Sequence, residues 1–153
     1  MERVYLGVGS NLGDRAAYLH QAQSLVARLP ESRLLRSSTV YETDPVGGPP
    51  QGKYLNAVWE LETSLTPRKL KDQLREIEKQ LGRKPSNPNA PRQIDLDILF
   101  YGDWIVKEND LRIPHPRLHE RAFVLRPLLE LAPEKLHPES KKSVEQLLRE
   151  IMK

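Results

Sequence analysis

Stretches in which apolar and polar residues alternate predict four β-strands along the chain. Three of them are VYLGVG (4–9), RLLRSSTVYET (33–43) and YLNAVWELET (54–63), which are rich in β-branched and aromatic residues. The fourth runs from Ile94 to Tyr101. A hairpin through Gly102-Asp103 to the segments WIV and LRIP should return the chain antiparallel to this fourth strand.

Apolar residues spaced three and four apart predict helices between these strands. The first is capped by Asp14 and ended by Pro30. The second begins at Thr66-Pro67 and ends before Gly82, as N-cap, N1 proline and C-terminal glycine preferences require. Their apolar stripes are Leu19, Ala22, Val26 and Leu29, and Leu70, Leu74, Ile77 and Leu81. Two more helices are predicted around 120–131 and 143–152.

The resulting order, βα ββ αβ followed by a hairpin and helices, predicts an α+β fold of the ferredoxin-like kind. Its antiparallel sheet would have helices packed on one face and an open face carrying the active site. With 153 residues, the chain is expected to be a single domain over 1–153.

The composition narrows the class of protein. There is no cysteine, so disulfides and thiolate metal sites are excluded. No stretch reaches the ~20 apolar residues of a membrane span, and the start of the chain lacks the apolar core of a signal peptide. A cytoplasmic protein without a membrane partner is therefore expected. Its expected oligomeric state is a monomer.

Two aspartates interrupt the fourth strand. Since side chains alternate between faces, Ile94, Leu96, Ile98 and Phe100 should form one buried row. Asp95 and Asp97 should then share the open face, roughly 6.6 Å apart along the chain. A solvated face is one interpretation, but paired like charges are unfavourable on a strand. A divalent cation would resolve the repulsion, because Mg²⁺ takes carboxylate oxygens together with substrate phosphates.

The basic residues are unevenly distributed, although the net charge is only +3. They concentrate between Arg68 and Arg92 and again between Arg112 and Arg126. Solvated helix faces would account for many of them. An anionic ligand, either phosphates or nucleic acid, is the alternative. Arg92, His115, Arg117 and Arg121 converging on Mg²⁺ would suit phosphoryl transfer, whereas His115 could equally be a buried structural histidine.

The glycine-rich segment GVGSNLGD resembles a phosphate-binding loop but fails both common templates. Gly13 is followed by Asp14 instead of the lysine of a P-loop, and Leu12 stands where the dinucleotide fingerprint needs its third glycine. These glycines are interpreted as positions of close packing and a tight turn.

Four segments together resemble the 6-hydroxymethyl-7,8-dihydropterin pyrophosphokinases of folate biosynthesis. They are GSNLGD (9–14), YETDPVGGPPQGKYLNAV (41–58), APRQIDLDILFYG (90–102) and IPHPRLHERAFVLRPLLELAP (113–133), and the match extends over residues 3–138. The resemblance implies an ATP-dependent diphosphotransferase that moves pyrophosphate from ATP to the pterin hydroxymethyl group and releases AMP. Its substrates would be ATP and the pterin, with no nucleic acid.

The resemblance also assigns residues. Two Mg²⁺ ions are expected at Asp95 and Asp97. The catalytic residues would be Arg92, Asp95, Asp97, His115 and Arg121. ATP would be bound by Glu78, Arg83, Arg92, Ile98 and His115. The pterin would be bound by Thr43, Val46, Tyr54, Asn56, Asp95 and Phe123, with its ring between Tyr54 and Phe123; without the resemblance, both aromatics could be ordinary core residues.

The loop over 83–92 departs from the family pattern. Lys84 follows Arg83 directly, a second loop arginine is missing, and Asn89-Ala90 replaces an aromatic-glycine pair before Pro91-Arg92. These changes bear on how a lid would close over the site.

Two other classes of protein remain open at this point. An RNA-binding module on the same scaffold would use aromatics on its open face, but Asp95 and Asp97 would repel phosphates without metal. A non-catalytic pterin- or nucleotide-binding regulator would be expected to have a broken carboxylate pair, and this pair is intact.

Overall fold

The structure is a computed structural model that describes residues 1–44, 52–82 and 93–152. Its main sheet contains β1 (Glu2–Ser10), β2 (Ser32–Ser37), β3 (Tyr41–Thr43), β4 (Tyr54–Thr63) and β5 (Asp95–Tyr101). The order across the sheet is β2-β4-β1-β5, with β3 paired to the other end of β4, and all pairs are antiparallel. This is the predicted ferredoxin-like α+β arrangement.

Two helices cover one face of the sheet. They are α1 (Arg15–Ala27) and α2 (Pro67–Gln80), and both predicted caps are formed. Asp14 accepts the amide of Ala17 at 3.1 Å, and Thr66 accepts that of Lys69 at 3.3 Å. The core on this face joins the two predicted helical stripes to inward residues of the strands, including Leu6, Trp59 and Leu96.

The second face is open only at one end of the sheet. Helices α3 (Ala122–Leu131) and α4 (Val144–Ile151) pack over the other end, on a separate cluster that includes Tyr5, Val58 and Leu125. A 3₁₀ turn over Leu118–Glu120 precedes α3, so the helix begins later than the sequence pattern predicts. The uncovered end of this face carries the aspartates of β5.

The predicted second strand is divided in two. Ser38 lies in the break between β2 and β3, where its amide and hydroxyl groups form the hydrogen bonds to β4. Its amide donates to the carbonyl of Val58 at 2.9 Å, and its hydroxyl accepts the Val58 amide at 2.9 Å. The chain can therefore change direction while the backbone N–H and C=O of Val58 on β4 keep their hydrogen bonds.

Phe100, the last member of the predicted row on β5, is buried as predicted but lies on the opposite face of the sheet from Ile94, Leu96 and Ile98. Leu6 pairs with Ile98 and Tyr5 with Phe100, so Leu99 is an extra residue in a β-bulge. Beyond the bulge the faces exchange. Leu99 and Phe100 both join the cluster beneath α3 and α4, and Tyr101 returns to the face covered by α1 and α2.

The hairpin after β5 also differs from expectation. Its strands, β6 (Val106–Glu108) and β7 (Leu111–Ile113), form their own two-stranded sheet and do not extend the main sheet next to β5. The chain nevertheless returns to the aspartate strand, because the amide of His115 donates to the carbonyl of Leu99 at 3.0 Å. The bulge residue thus anchors the segment that follows the hairpin.

None of the helices in these described ranges combines the length and apolar character that a bilayer crossing requires.

Candidate active site

A cavity of about 410 Å³ occupies the open end of the second sheet face. This volume is in the range of small-molecule sites. Its lining combines strand residues with side chains from the segment after β7 and from the start of α3. The residues predicted from the sequence that line it are Thr43, Tyr54, Asn56, Asp95, Asp97, His115, Arg117, Arg121 and Phe123.

Two glycines of β1 form the floor of this cavity. A Cβ on Gly9 would lie 3.1 Å from Nδ2 of Asn56, and a Cβ on Gly7 would lie 3.1 Å from Cδ2 of Leu99. Both distances are shorter than an ordinary Cβ contact, so glycine at these two positions lets the Asn56 amide and the Leu99 side chain pack close to the strand. This confirms the close packing predicted for the GVG segment, and it leaves a flat surface on which a planar ring could lie.

Asn56 has a fixed amide orientation at the edge of this floor. On β4, Asn56 pairs with Gly9 of β1 on one side and with Tyr41 of β3 on the other. The hydroxyl of Thr43 donates to its Oδ1, which leaves the Asn56 NH₂ group as the donor side. The two residues that the resemblance assigns to the pterin are thus held by each other.

Tyr54 and Phe123 reach the cavity from different elements. Tyr54 begins β4, whereas Phe123 lies in the first turn of α3, and both rings are half-buried. The guanidinium carbon of Arg121 is 5.6 Å from the centroid of the Phe123 ring, a cation–π contact. Phe123 therefore links the aromatic part of the cavity lining to the basic side chain of Arg121.

Asp95 and Asp97 both face the cavity, on opposite sides of the buried Leu96. The alternation predicted from the sequence therefore holds for this part of β5. Nη2 of Arg75 on α2 lies 3.5 Å from Oδ1 of Asp97, so the pair has a cationic neighbour that the sequence pattern did not indicate.

His115 is neutral in this setting. Burial, and next the positive charge of Arg121, lower its pKa from 6.5 to about 4. Its Nδ1 accepts the amide of Arg117 at 3.2 Å, so the ring proton is on Nε2. His115 can therefore offer an uncharged N–H donor without adding to the positive charge of the site.

A second cavity, of about 240 Å³, meets the first at Asp97 and His115, which line both. Its walls combine the apolar Leu74, Ile98 and Leu111 with three basic residues. Those basic residues are Lys71, Arg75 and Arg112. Ile98 and His115 were assigned to ATP, and Asp97 to the metal, through the resemblance. The lining residues from α2 and the β6–β7 hairpin were not assigned, because they converge with these only in the fold.

Glu78, also assigned to ATP, lies below the surface. It is 2% exposed and lines neither cavity. Its carboxylate contacts the Leu96 amide at 2.8 Å and the Arg75 guanidinium at 2.6 Å. Val46, Arg83 and Arg92 lie outside the described residues, as does the loop over 83–92, whose sequence departs from the family pattern.

The residues present fit a Mg²⁺ site. Asp95 and Asp97 offer hard carboxylate oxygens on one strand face. Within the described ranges they belong to no cluster of three or more His, Cys, Asp or Glu side chains. Mg²⁺ prefers such a partial protein site, because it keeps waters and takes substrate phosphates as its other ligands.

A ferredoxin-like sheet with paired carboxylates facing a neutral histidine and arginines fits the class of phosphoryl-transfer enzymes. The model of the family described as 7,8-dihydro-6-hydroxymethylpterin-pyrophosphokinase (HPPK) matches residues 5–133. The chain belongs to this family, which confirms the predicted enzyme class, a pyrophosphokinase of folate biosynthesis that uses ATP.

Individual relatives agree. The 2-amino-4-hydroxy-6-hydroxymethyldihydropteridine pyrophosphokinase of Aquifex aeolicus is 42% identical over 138 residues, which is 90% of this chain and 85% of the relative. That of Haemophilus influenzae is 38% identical over 153 residues, or 100% of this chain and 92% of the relative. The wild-type HPPK-DHPS of Plasmodium falciparum has the same fold, with a TM-score of 0.77 at 14% identity. The match covers 97% of this chain but only 44% of that longer one.

Proposed function

We propose that the first cavity binds 6-hydroxymethyl-7,8-dihydropterin and the second binds ATP, with Asp95 and Asp97 holding two Mg²⁺ ions where the cavities meet. The observation that carries this proposal is the position of Asp97 and His115, which line both cavities. A group passing from one ligand to the other would cross between these two side chains.

The pterin ring would lie on the floor formed by Gly7 and Gly9, between Tyr54 and Phe123. Stacking on aromatic rings contributes about 0.5–1.5 kcal/mol beyond burial. The Asn56 NH₂ group, oriented by Thr43, would donate to the polar edge of the ring. This arrangement would direct the hydroxymethyl group toward the aspartates.

The nucleotide would place its base among the apolar residues of the second cavity and its phosphates toward Asp97. Lys71, Arg75 and Arg112 supply positive charge along that cavity. Arg83 and Arg92 remain sequence-based predictions for the same phosphates. Glu78 would act indirectly in nucleotide binding, because its carboxylate is buried against α2 and β5.

In the reaction, the pterin hydroxyl oxygen forms a bond to the β-phosphorus of ATP. The bond between that phosphorus and the oxygen of the α-phosphate breaks, AMP leaves with this oxygen, and the hydroxyl proton is released. When bound, Mg²⁺ would neutralise charge on the phosphate oxygens. His115 would donate its Nε2 proton in a hydrogen bond, and Arg121 would stabilise negative charge near Phe123.

The test is product analysis with matched variants. The wild-type protein should form AMP, rather than ADP, only when MgATP and the reduced pterin are both present. Asp97→Asn should lose at least 100-fold in this rate, whereas Asp72→Asn, the same charge change at an exposed position of α2, should retain it. Release of ADP, or an active Asp97→Asn variant, would contradict the proposal.

The single domain over 1–153, the monomeric state and the cytoplasmic location stay predictions. Calibrated size-exclusion chromatography with light scattering would test the oligomeric state.

A further inference from the structure

The backbone N–H and C=O groups of Leu96 are both hydrogen-bonded by side chains of α2. Among the strands of the described residues, β5 lies at the edge of the main sheet and pairs with β1 alone. An edge strand leaves alternate N–H and C=O groups without a ladder partner. At Leu96 the N–H donates to Oε2 of Glu78 at 2.8 Å, and the C=O accepts from Nη1 of Arg75 at 3.0 Å.

The two side chains that bond Leu96 are also bonded to each other. Nη1 of Arg75 lies 2.6 Å from Oε1 of Glu78, one helical turn away. A buried carboxylate is costly unless it is paired and hydrogen-bonded, and Glu78 has both kinds of partner. The arginine side chain is planar and its donors are fixed relative to one another, so one contact orients the others.

The same guanidinium extends to the proposed metal site. Its Nη2 lies 3.5 Å from Oδ1 of Asp97. Burial opposes the charge on Arg75, but Glu78 and then Asp97 raise its pKa overall, so the group stays cationic. The Arg75–Glu78 ion pair therefore contacts the backbone of Leu96, which lies between the two aspartates, and also contacts Asp97.

Resting on the metal site proposed above, we propose that Arg75 and Glu78 form a brace that positions Asp95 and Asp97 for Mg²⁺. Asp95 and Asp97 are the residues directly before and after Leu96 on β5. Fixing its N–H and C=O therefore fixes the origin of both side chains, and fewer orientations are lost when the carboxylates close on a cation. Glu78 is a positioning residue here, since it lines neither cavity.

The variant that tests this is Glu78→Gln, which keeps the shape but weakens the contacts to Arg75 and Leu96. Glu76→Gln is the matched control, because Glu76 is on the same helix but pairs with Lys79 at 3.6 Å on the exposed side. Glu78→Asp is the second variant. It keeps the charge and withdraws the carboxylate by one methylene group, so it serves if Glu78→Gln does not fold.

Two readouts separate the brace from a general contribution to stability. The first is amide hydrogen exchange at Leu96 in the metal-free protein, compared with amides in the β1–β4 ladder. The second is calorimetric Mg²⁺ binding in the presence of α,β-methylene-ATP. In this analogue the link between the α- and β-phosphorus atoms cannot be cleaved, so pyrophosphate is not transferred. We expect exchange at Leu96 to accelerate at least tenfold, the β1–β4 amides to change less than twofold, and Mg²⁺ affinity to fall about tenfold. Glu76→Gln should change neither.

Unchanged Leu96 exchange, or faster exchange with unaltered Mg²⁺ affinity, would overturn the brace. Wild-type protein that binds no Mg²⁺ with the analogue would overturn the proposed metal site, and the brace with it. Normal wild-type binding with an unaffected Glu78 variant would overturn the brace alone.

Discussion

The backbone of His115 is hydrogen-bonded to the bulge residue of the aspartate strand, since its amide donates to the Leu99 carbonyl at 3.0 Å. The bulge and the histidine are sixteen residues apart, with the β6–β7 hairpin between them. This contact places the partly buried imidazole at the junction of the two cavities. Burial there, and next the charge of Arg121, lower its pKa to about 4.

The pH dependence of stability should reflect this burial. The unfolded chain protonates His115 near pH 6.5, whereas the folded protein does so only near pH 4. Between these values the unfolded state binds more protons, so stability falls as the pH is lowered from 6.5 toward 4, by up to ~3 kcal/mol. Denaturant unfolding of the wild type and of His115→Asn at several pH values measures this contribution.

The comparison with His115→Asn is needed because burial also lowers the pKa of His137, which contributes with the same sign. The difference between the two proteins should shrink as the pH falls. A difference that stays constant from pH 7 to pH 4 would contradict the assignment of a buried neutral His115.

Asn56→Ala should weaken pterin binding and spare nucleotide binding. It removes the amide that Thr43 orients, and an unpaired polar group at a buried site costs about 1–3 kcal/mol, or roughly 5- to 150-fold in affinity. Separate calorimetric titrations with the pterin and with α,β-methylene-ATP give the two losses. Thr43→Val should show a smaller loss for the pterin only, and equal losses for both ligands would refute the assignment.

Gly9→Ala should also impair the pterin cavity while leaving the fold intact. The new methyl group would lie 3.1 Å from Nδ2 of Asn56, closer than an ordinary contact, so the Asn56 amide must shift; it would also lie 3.4 Å from Cδ1 of Tyr54. Overpacking of this kind typically costs about 1–3 kcal/mol. Pterin affinity should fall at least fivefold by the same titration.

Gly52→Ala is the control for this substitution. Its added Cβ would be 3.7 Å from the carbonyl of Asn11, an ordinary contact, so its pterin affinity should match the wild type. If Gly9→Ala binds the pterin normally, the glycine floor is not part of the site.

Asp97→Asn should change the stability of the metal-free protein very little. Sequence reasoning alone predicts a gain of up to ~1 kcal/mol, since repulsion from Asp95 is relieved. The structure adds Arg75, at 3.5 Å from Asp97, and the loss of this attraction opposes the gain. Melting in EDTA should therefore stay close to that of the wild type, and a large destabilisation would indicate a structural role for Asp97.

These comparisons show what a sequence can predict in this fold. The strand and helix order, both helix caps and the facing of Asp95 and Asp97 follow from local periodicity and could be predicted. The exchange of faces at Leu99 could not, because a bulge depends on the register with β1. Nor could the division of the second predicted strand at Ser38, because it depends on hydrogen bonds to Val58 of the neighbouring β4.

The composition of the site shows a similar limit. Thr43, Tyr54, Asn56 and Phe123 were assigned by resemblance to a family, and the fold brings them to one cavity. Arg75 and Glu78 act on Leu96 across about twenty residues of sequence, and neither carries a local pattern that predicts this contact. Long-range ion pairs of this kind require coordinates.

The most direct measurement is a crystal structure of the protein with α,β-methylene-ATP, Mg²⁺ and 6-hydroxymethyl-7,8-dihydropterin. The expected result is the pterin ring over Gly7 and Gly9, the nucleotide in the cavity beside Ile98, and, between the two ligands, two metal ions that contact Asp95 and Asp97. Metal ions bound away from these carboxylates, or a nucleotide and pterin whose reacting atoms do not meet beside them, would contradict it.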